Sequence, residues 1–167
     1  MKQTLTLLIG FAVAVAFSLP LSAAEPDSPG SKLITIQGGG GPGFGGLVSG
    51  SIAMANLGAA HLYGGLQFGA NFRHGSATRK TDLSLAPRVM LGWNLGRVVE
   101  FHLGGFAGID AMRFDADKSQ LAFCYSGFGG FRLNLSPSFA LVAEGYYSFP
   151  QIYQAVPYGL AGFAFRF

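Results

Sequence analysis

The chain has 167 residues and a formal net charge of +3, with 50% hydrophobic, 14% aromatic and only 11% charged residues. A soluble domain carries about 25% charge on a surface that must face water, so this composition excludes an ordinary soluble fold. The weak, scattered positive charge excludes a nucleic-acid surface, and Cys124, the single cysteine, excludes an intramolecular disulfide.

The first element is an export signal. Met1-Lys2-Gln3 carries one positive charge, and an apolar run from Leu5 to Leu21 leads into Ser22-Ala23-Ala24. Small residues at 22 and 24 suit a signal peptidase, and Pro20 breaks the run as a retained span, so residues 1–24 read as a cleaved signal peptide. Residues 25–31 read as a short leader and residues 32–167 as one domain. No stretch after residue 24 stays apolar for the about 20 residues that a membrane helix needs. An apolar, charge-poor chain without such helices has one common solution, a closed β-barrel in which all backbone bonds are made between strands.

Period-two alternation, the mark of a strand with two unlike faces, runs through most of that domain. Leu33 to Gln37 starts a first strand, and Val48, Gly50, Ile52, Met54 and Asn56 form one face of a second. Leu62, Leu66, Phe68 and Phe72 alternate with Tyr63, Gln67, Asn71 and Arg73 in a third. The fourth sets Leu83, Leu85, Val89, Leu91 and Trp93 against Ser84, Arg88 and Asn94; Pro87, with no amide donor, predicts a ladder break or a bulge. Strands then follow over Val99–Asp110, Leu121–Leu135, Phe139–Phe149 and Tyr158–Phe167. The predicted fold is all-β: an antiparallel up-and-down transmembrane barrel of about eight strands.

The charges decide which face points where. Arg88, Glu100, Asp110, Arg132, Glu144 and Arg166 all fall opposite the large apolar residues. That face is also rich in Gly, Ala and Ser, which suits the narrow interior of an eight-stranded barrel. Phe and Leu therefore face lipid, and the six charges form a lumenal ionic network that bridges strands. Outward aromatics gather near two rims: Phe72, Phe123, Tyr125, Tyr147 and Phe149 at one, Trp93, Phe101, Phe139, Phe165 and Phe167 at the other. Such pairs of rings are interface girdles. Gly96-Arg97 and Ser136-Pro137-Ser138 read as tight turns on one rim; His74–Asp82, Arg113–Gln120 and Pro150–Val156 read as longer loops on the other.

On this pattern, and on the ending Phe163-Ala164-Phe165-Arg166-Phe167, the chain resembles the small bacterial outer-membrane barrels of the OmpA transmembrane-domain, OmpX and opacity-protein type. The resemblance implies an outer-membrane protein with loops outside and a periplasmic C-terminus. It implies insertion by the barrel-assembly machinery, with Phe163, Phe165 and Phe167 as the signal, and lipid and lipopolysaccharide as surroundings. The outer loops are short for an adhesin. The function expected is a non-enzymatic structural or surface-contact role, the alternatives being a lipid A-modifying barrel enzyme and a narrow gated channel.

No catalytic residue, cofactor or metal site is assigned. Gly41-Pro42-Gly43-Phe44-Gly45-Gly46 fits G-x-G-x-x-G, but the dinucleotide reading needs a helix next. Glu100, His102 and Ser126 share the inner face and supply the residue types of an acid–base trio. His74-Gly75-Ser76 resembles the His-x-Ser of outer-membrane lipid A deacylases, yet Arg88 stands where that family has an acid. His74, Ser76 and Asp82 supply the residue types of the palmitoyltransferase barrels without a diagnostic spacing. Arg79-Lys80 would suit anionic head groups. No Cys/His spacing suits zinc and no acidic loop suits calcium.

Overall fold

The computed structural model describes residues 28–40, 43–74, 79–96, 98–113, 119–150 and 156–167. The expected signal peptide and Gly41-Pro42 lie outside the described residues. So do Gly75, Ser76 and the side chains of His74, Arg79 and Lys80.

Eight strands follow in chain order: β1 Lys32–Gly40, β2 Gly43–Asn56, β3 Ala60–His74, β4 Arg79–Leu95, β5 Val99–Arg113, β6 Ser119–Ser136, β7 Phe139–Pro150 and β8 Val156–Arg166. Each pairs antiparallel with its sequence neighbours, and β1 pairs with β8, closing the barrel. The seam runs from Leu33↔Arg166 to Gly40↔Gly159 and is tied off by Lys32 and Phe167, whose backbone groups exchange bonds of 2.9 and 3.0 Å. Closure leaves no open edge along this seam, the condition for a sheet to stand in hydrocarbon.

The faces fall as the alternation predicts. Along β1, Leu33, Thr35 and Gln37 are buried and alternate with exposed Lys32, Ile34 and Ile36; along β2, Leu47, Ser49, Ser51 and Ala53 are buried and alternate with exposed Val48, Gly50, Ile52 and Met54. Ile36, Val48, Leu66, Phe68, Leu85, Val89, Leu103 and Ile109 are exposed on the wall, while Gln37, Ser49, Gln67, Arg88, His102 and Glu144 are buried in the lumen.

The strands reach further than expected at one rim. β3 runs to His74 and β4 begins at Arg79; β5 runs to Arg113 and β6 begins at Ser119; β7 runs to Pro150 and β8 begins at Val156. Much of the expected His74–Asp82 loop is therefore strand, the other two expected loops give up only end residues, and Asp82 is a buried inward residue of β4 rather than a loop residue. The reason is that cross-strand pairing continues past the apolar stretch, as in Asn71↔Asp82 and Asp82↔Met112, where polar residues no longer mark the face by hydropathy. β4 and β6 have 17 and 18 residues, against the about 9–11 that span a bilayer.

Pro87 breaks the ladder without a bulge. It pairs with Leu66 of β3, and toward β5 the bridges stop at Leu85↔Ile109 and resume in the same register at Arg88↔Phe106. Register shifts occur instead between Ala53 and Ala55, and between Asn134 and Ser136, both near the tight-turn rim. No helix follows the glycine run; Gly43–Asn56 is strand, which removes the dinucleotide reading.

Candidate functional site

The lumen is filled in layers. Nearest the rim that carries the turns and both strand termini, Arg132 Nη1 donates to Glu100 Oε2 at 3.1 Å, and Tyr63 OH donates to the same oxygen at 3.4 Å. The Arg132 guanidinium also lies 5.5 Å from the centre of the Tyr63 ring. All three residues are 1% exposed.

A second cluster is built on Glu144 of β7. Its Oε1 accepts from Arg88 Nη2 at 3.2 Å and faces His102 Nε2 at 2.8 Å, while Oε2 accepts from Tyr146 OH. Arg88 reaches on to Ser49 Oγ at 3.2 Å, and Tyr146 OH lies 3.4 Å from Gln37 Oε1. One carboxylate thus gathers donors from β4, β5 and β7, and its partners extend the brace to β1 and β2. Removing an ion from water is costly, and this many partners is what a buried carboxylate requires.

Around this hub lies an aromatic layer that the sequence reading placed only in part. Phe106 and Phe128 face inward, 8% and 5% exposed, although bulky rings were expected on the wall. Tyr146 stacks on Tyr158 at 4.9 Å and on Phe128 at 5.3 Å, and the Arg88 guanidinium lies 4.2 Å from the Phe128 ring centre. Glycines make the room: Gly104, Gly108 and Gly130 share the inward parity of these strands. The signal available was strand parity, since Phe106 and Phe128 are even-numbered like Arg88 and His102.

Of the six predicted lumenal charges, four form the two ion pairs Arg88–Glu144 and Arg132–Glu100. Arg166 donates to the Pro137 carbonyl at 3.3 Å at the turn rim, and Asp110 stands toward the opposite rim, in register with Ser84 and Ala122. The trio Glu100, His102 and Ser126 is not assembled. His102 turns to Glu144, and Ser126 Oγ donates to the Tyr147 carbonyl at 2.9 Å. Among the described residues no group of three His, Cys, Asp or Glu side chains is placed to hold a metal ion.

The ten aromatics predicted for the rims project outward. Phe72, Phe101, Phe123, Tyr125, Tyr147, Phe149, Phe165 and Phe167 are exposed, and Trp93 and Phe139 half-buried. Tyr125 stacks on Phe149 at 5.1 Å toward the loop rim, and Phe139 sits 5.4 Å from Phe165 and 5.8 Å from Phe163 at the turn rim.

An antiparallel eight-stranded cylinder, apolar outside and ionic within, is the inverse of a soluble barrel. It defines the class of small barrels of the outer-membrane type. No protein-family model matches the chain, and no curated protein matches its sequence. Solved structures do share its fold. The Ail attachment invasion locus protein of Yersinia pestis aligns with TM-score 0.59 and 14% identity, over 84% of this chain and all of that one. Neisserial surface protein A aligns with TM-score 0.61 and 13% identity, over 81% and 94%. The outer-membrane enzyme PagL aligns with TM-score 0.53 and 15% identity, over 79% and 97%.

Proposed function

We propose that this chain is an integral outer-membrane barrel that serves the envelope as a structural and surface-contact element, not as an enzyme. Its loops face outward, its C-terminus lies in the periplasm, and lipid and lipopolysaccharide surround it. The observation that carries this is the placement of side chains: exposed Phe, Leu, Ile and Val along the wall, and Arg88, Glu100, Arg132 and Glu144 buried within. In water that wall would be a large exposed apolar surface; in lipid it is the stable arrangement. Phe163, Phe165 and Phe167 are the signal for the assembly machinery. The layered, hydrogen-bonded lumen supports a barrel that does not conduct.

Cell fractionation and gels run with and without heating test the reading, together with mass spectrometry of lipid A. Expected are an outer-membrane protein, a heat-dependent mobility shift and an unchanged acyl composition. A monomer soluble without detergent would overturn the membrane assignment. A changed acyl pattern would replace the structural role with lipid modification, the activity class weighed from His74 and Ser76. Discrete conductance in planar bilayers would overturn the closed lumen.

A further inference from the structure

The seam that closes the barrel changes character halfway along. From Leu33↔Arg166 to Ile36↔Phe163 no pair across β1 and β8 contains a glycine. From Gln37↔Gly162 to Gly40↔Gly159 every pair does. On the wall, the turn-side half sets Ile34 against Phe165 and Ile36 against Phe163, while the loop-side half sets Gly38 against Ala161 and Gly40 against Gly159. Cross-strand side-chain pairs are the unit of sheet stabilisation, and glycine regains the most chain entropy on release. The loop-side half is left to its backbone bonds.

Its surroundings do not make up the loss. On its other edge β1 sets Gly38 against Gly46 and Gly39 against Gly45, so these residues find no side-chain pair there either. On the outer wall a hollow of about 440 Å³ lies against Gly38, Gly39, Gly159, Leu160 and Ala161. The ladders from β2 round to β8 differ: toward the loop rim they keep pairs such as Phe44↔Phe72, Phe72↔Thr81, Leu85↔Ile109, Ile109↔Phe123, Tyr125↔Phe149 and Tyr147↔Pro157.

We propose that the loop-side half of this seam, Gly38–Gly40 against Gly159–Ala161, is a lateral opening that parts in the folded barrel. The turn-side half stays zipped below it, from Leu33–Ile36 to Phe163–Arg166. Freed backbone groups are costly in hydrocarbon, and this half ends at the loop rim, where head groups and water take them up. Parting the strands joins the outer hollow to the lumenal stack of Tyr146 on Tyr158, the residue next to Gly159. This goes beyond the envelope role and rests on the register of β1 and β8, not on that role.

Amide hydrogen exchange read by NMR, on the whole barrel folded in detergent micelles, tests it. Bonds alternate along an antiparallel ladder, and Lys32 and Phe167 exchange theirs. The bonded pairs further along are therefore Ile34–Phe165, Ile36–Phe163, Gly38–Ala161 and Gly40–Gly159. Protection at Gly38, Gly40, Gly159 and Ala161 should be about tenfold lower than at Ile34, Ile36, Phe163 and Phe165, the worth of the missing side-chain pairs. A double variant, Gly38→Ile with Ala161→Phe, copies the Ile36–Phe163 pair at the next bonded position. There is room for it, since a Cβ on Gly38 meets only the Gly45 carbonyl, at 3.8 Å. It should restore protection at Gly40 and Gly159 and leave Ile34 and Phe165 unchanged. Equal protection in both halves of the wild-type seam would overturn the proposal. So would fast exchange confined to Gly40 and Gly159, which is plain fraying of a strand end, or a double variant that leaves their exchange unaltered. If that variant does not fold, the wild-type profile decides alone.

Discussion

His102 Nε2 lies 2.8 Å from Glu144 Oε1, the same oxygen that takes Arg88 Nη2 at 3.2 Å. Two side chains from β4 and β5 thus close on a single atom of β7 across the lumen. Replacing the acceptor strands both. Glu144→Gln keeps the shape but leaves Arg88 without its counter-charge, and breaking a buried pair on one side costs about 3–5 kcal/mol. Urea unfolding in lipid vesicles should show a loss of that order with an unchanged strand signal in circular dichroism. A loss under about 1 kcal/mol, the worth of a surface pair, would show that the hub does not brace the barrel.

Glycines divide into those the wall demands and those it does not. A Cβ at Gly108 would run into the Leu85 carbonyl and Ala86, beside the ladder break at Pro87; one at Gly127 would meet nothing within 4 Å. Gly108→Ala should therefore lower stability by about 1–3 kcal/mol, the cost of overpacking. Gly127→Ala should be neutral or gain about 0.5–1 kcal/mol, because alanine loses less chain entropy in a strand. The same vesicle titration reads both, and equal effects would contradict the packing of β4 on β5.

The strand count, closure and facing were legible because lipid and lumen impose opposite chemistries on alternate residues. Leu85, Val89 and Leu91 against Ala86, Arg88 and Met90 can be sorted by eye. The signal failed where both faces are polar, so Asp82 and the ends of β3 to β6 passed for loops. It failed again where a ring points inward: Gly104-Gly105 before Phe106, and Gly127 before and Gly129-Gly130 after Phe128, hide the parity. The pairing within the lumen was beyond reach, since Arg88 and Glu144 lie 56 positions apart and meet only through barrel closure.

Depth along the wall should be measurable. Leu103 is exposed near the middle of β5, in register with Leu91 and Gly129, whereas Leu121 is exposed near the loop-rim end of β6. Leu103→Arg should cost about 2–4 kcal/mol of folding free energy in vesicles, and Leu121→Arg about 0–1 kcal/mol. A soluble surface would accept both within about 0.5 kcal/mol. Equal small effects would place this wall in water.

Trp93 offers a reading without substitution, because it is the single tryptophan of the chain. It lies outward and half-buried, in register with Phe101 and close to the turn after Leu95. An indole at that height has its ring against acyl chains and its N–H within reach of head groups. Folding into vesicles should shift its emission to the blue. Lipids brominated high on the acyl chain should quench it more than lipids brominated near the terminal methyl. Strongest quenching by the deepest bromines would move β4 down through the bilayer and dissolve the turn-rim girdle. No quenching at either depth would remove the wall from lipid, and with it the reason for the inverted barrel.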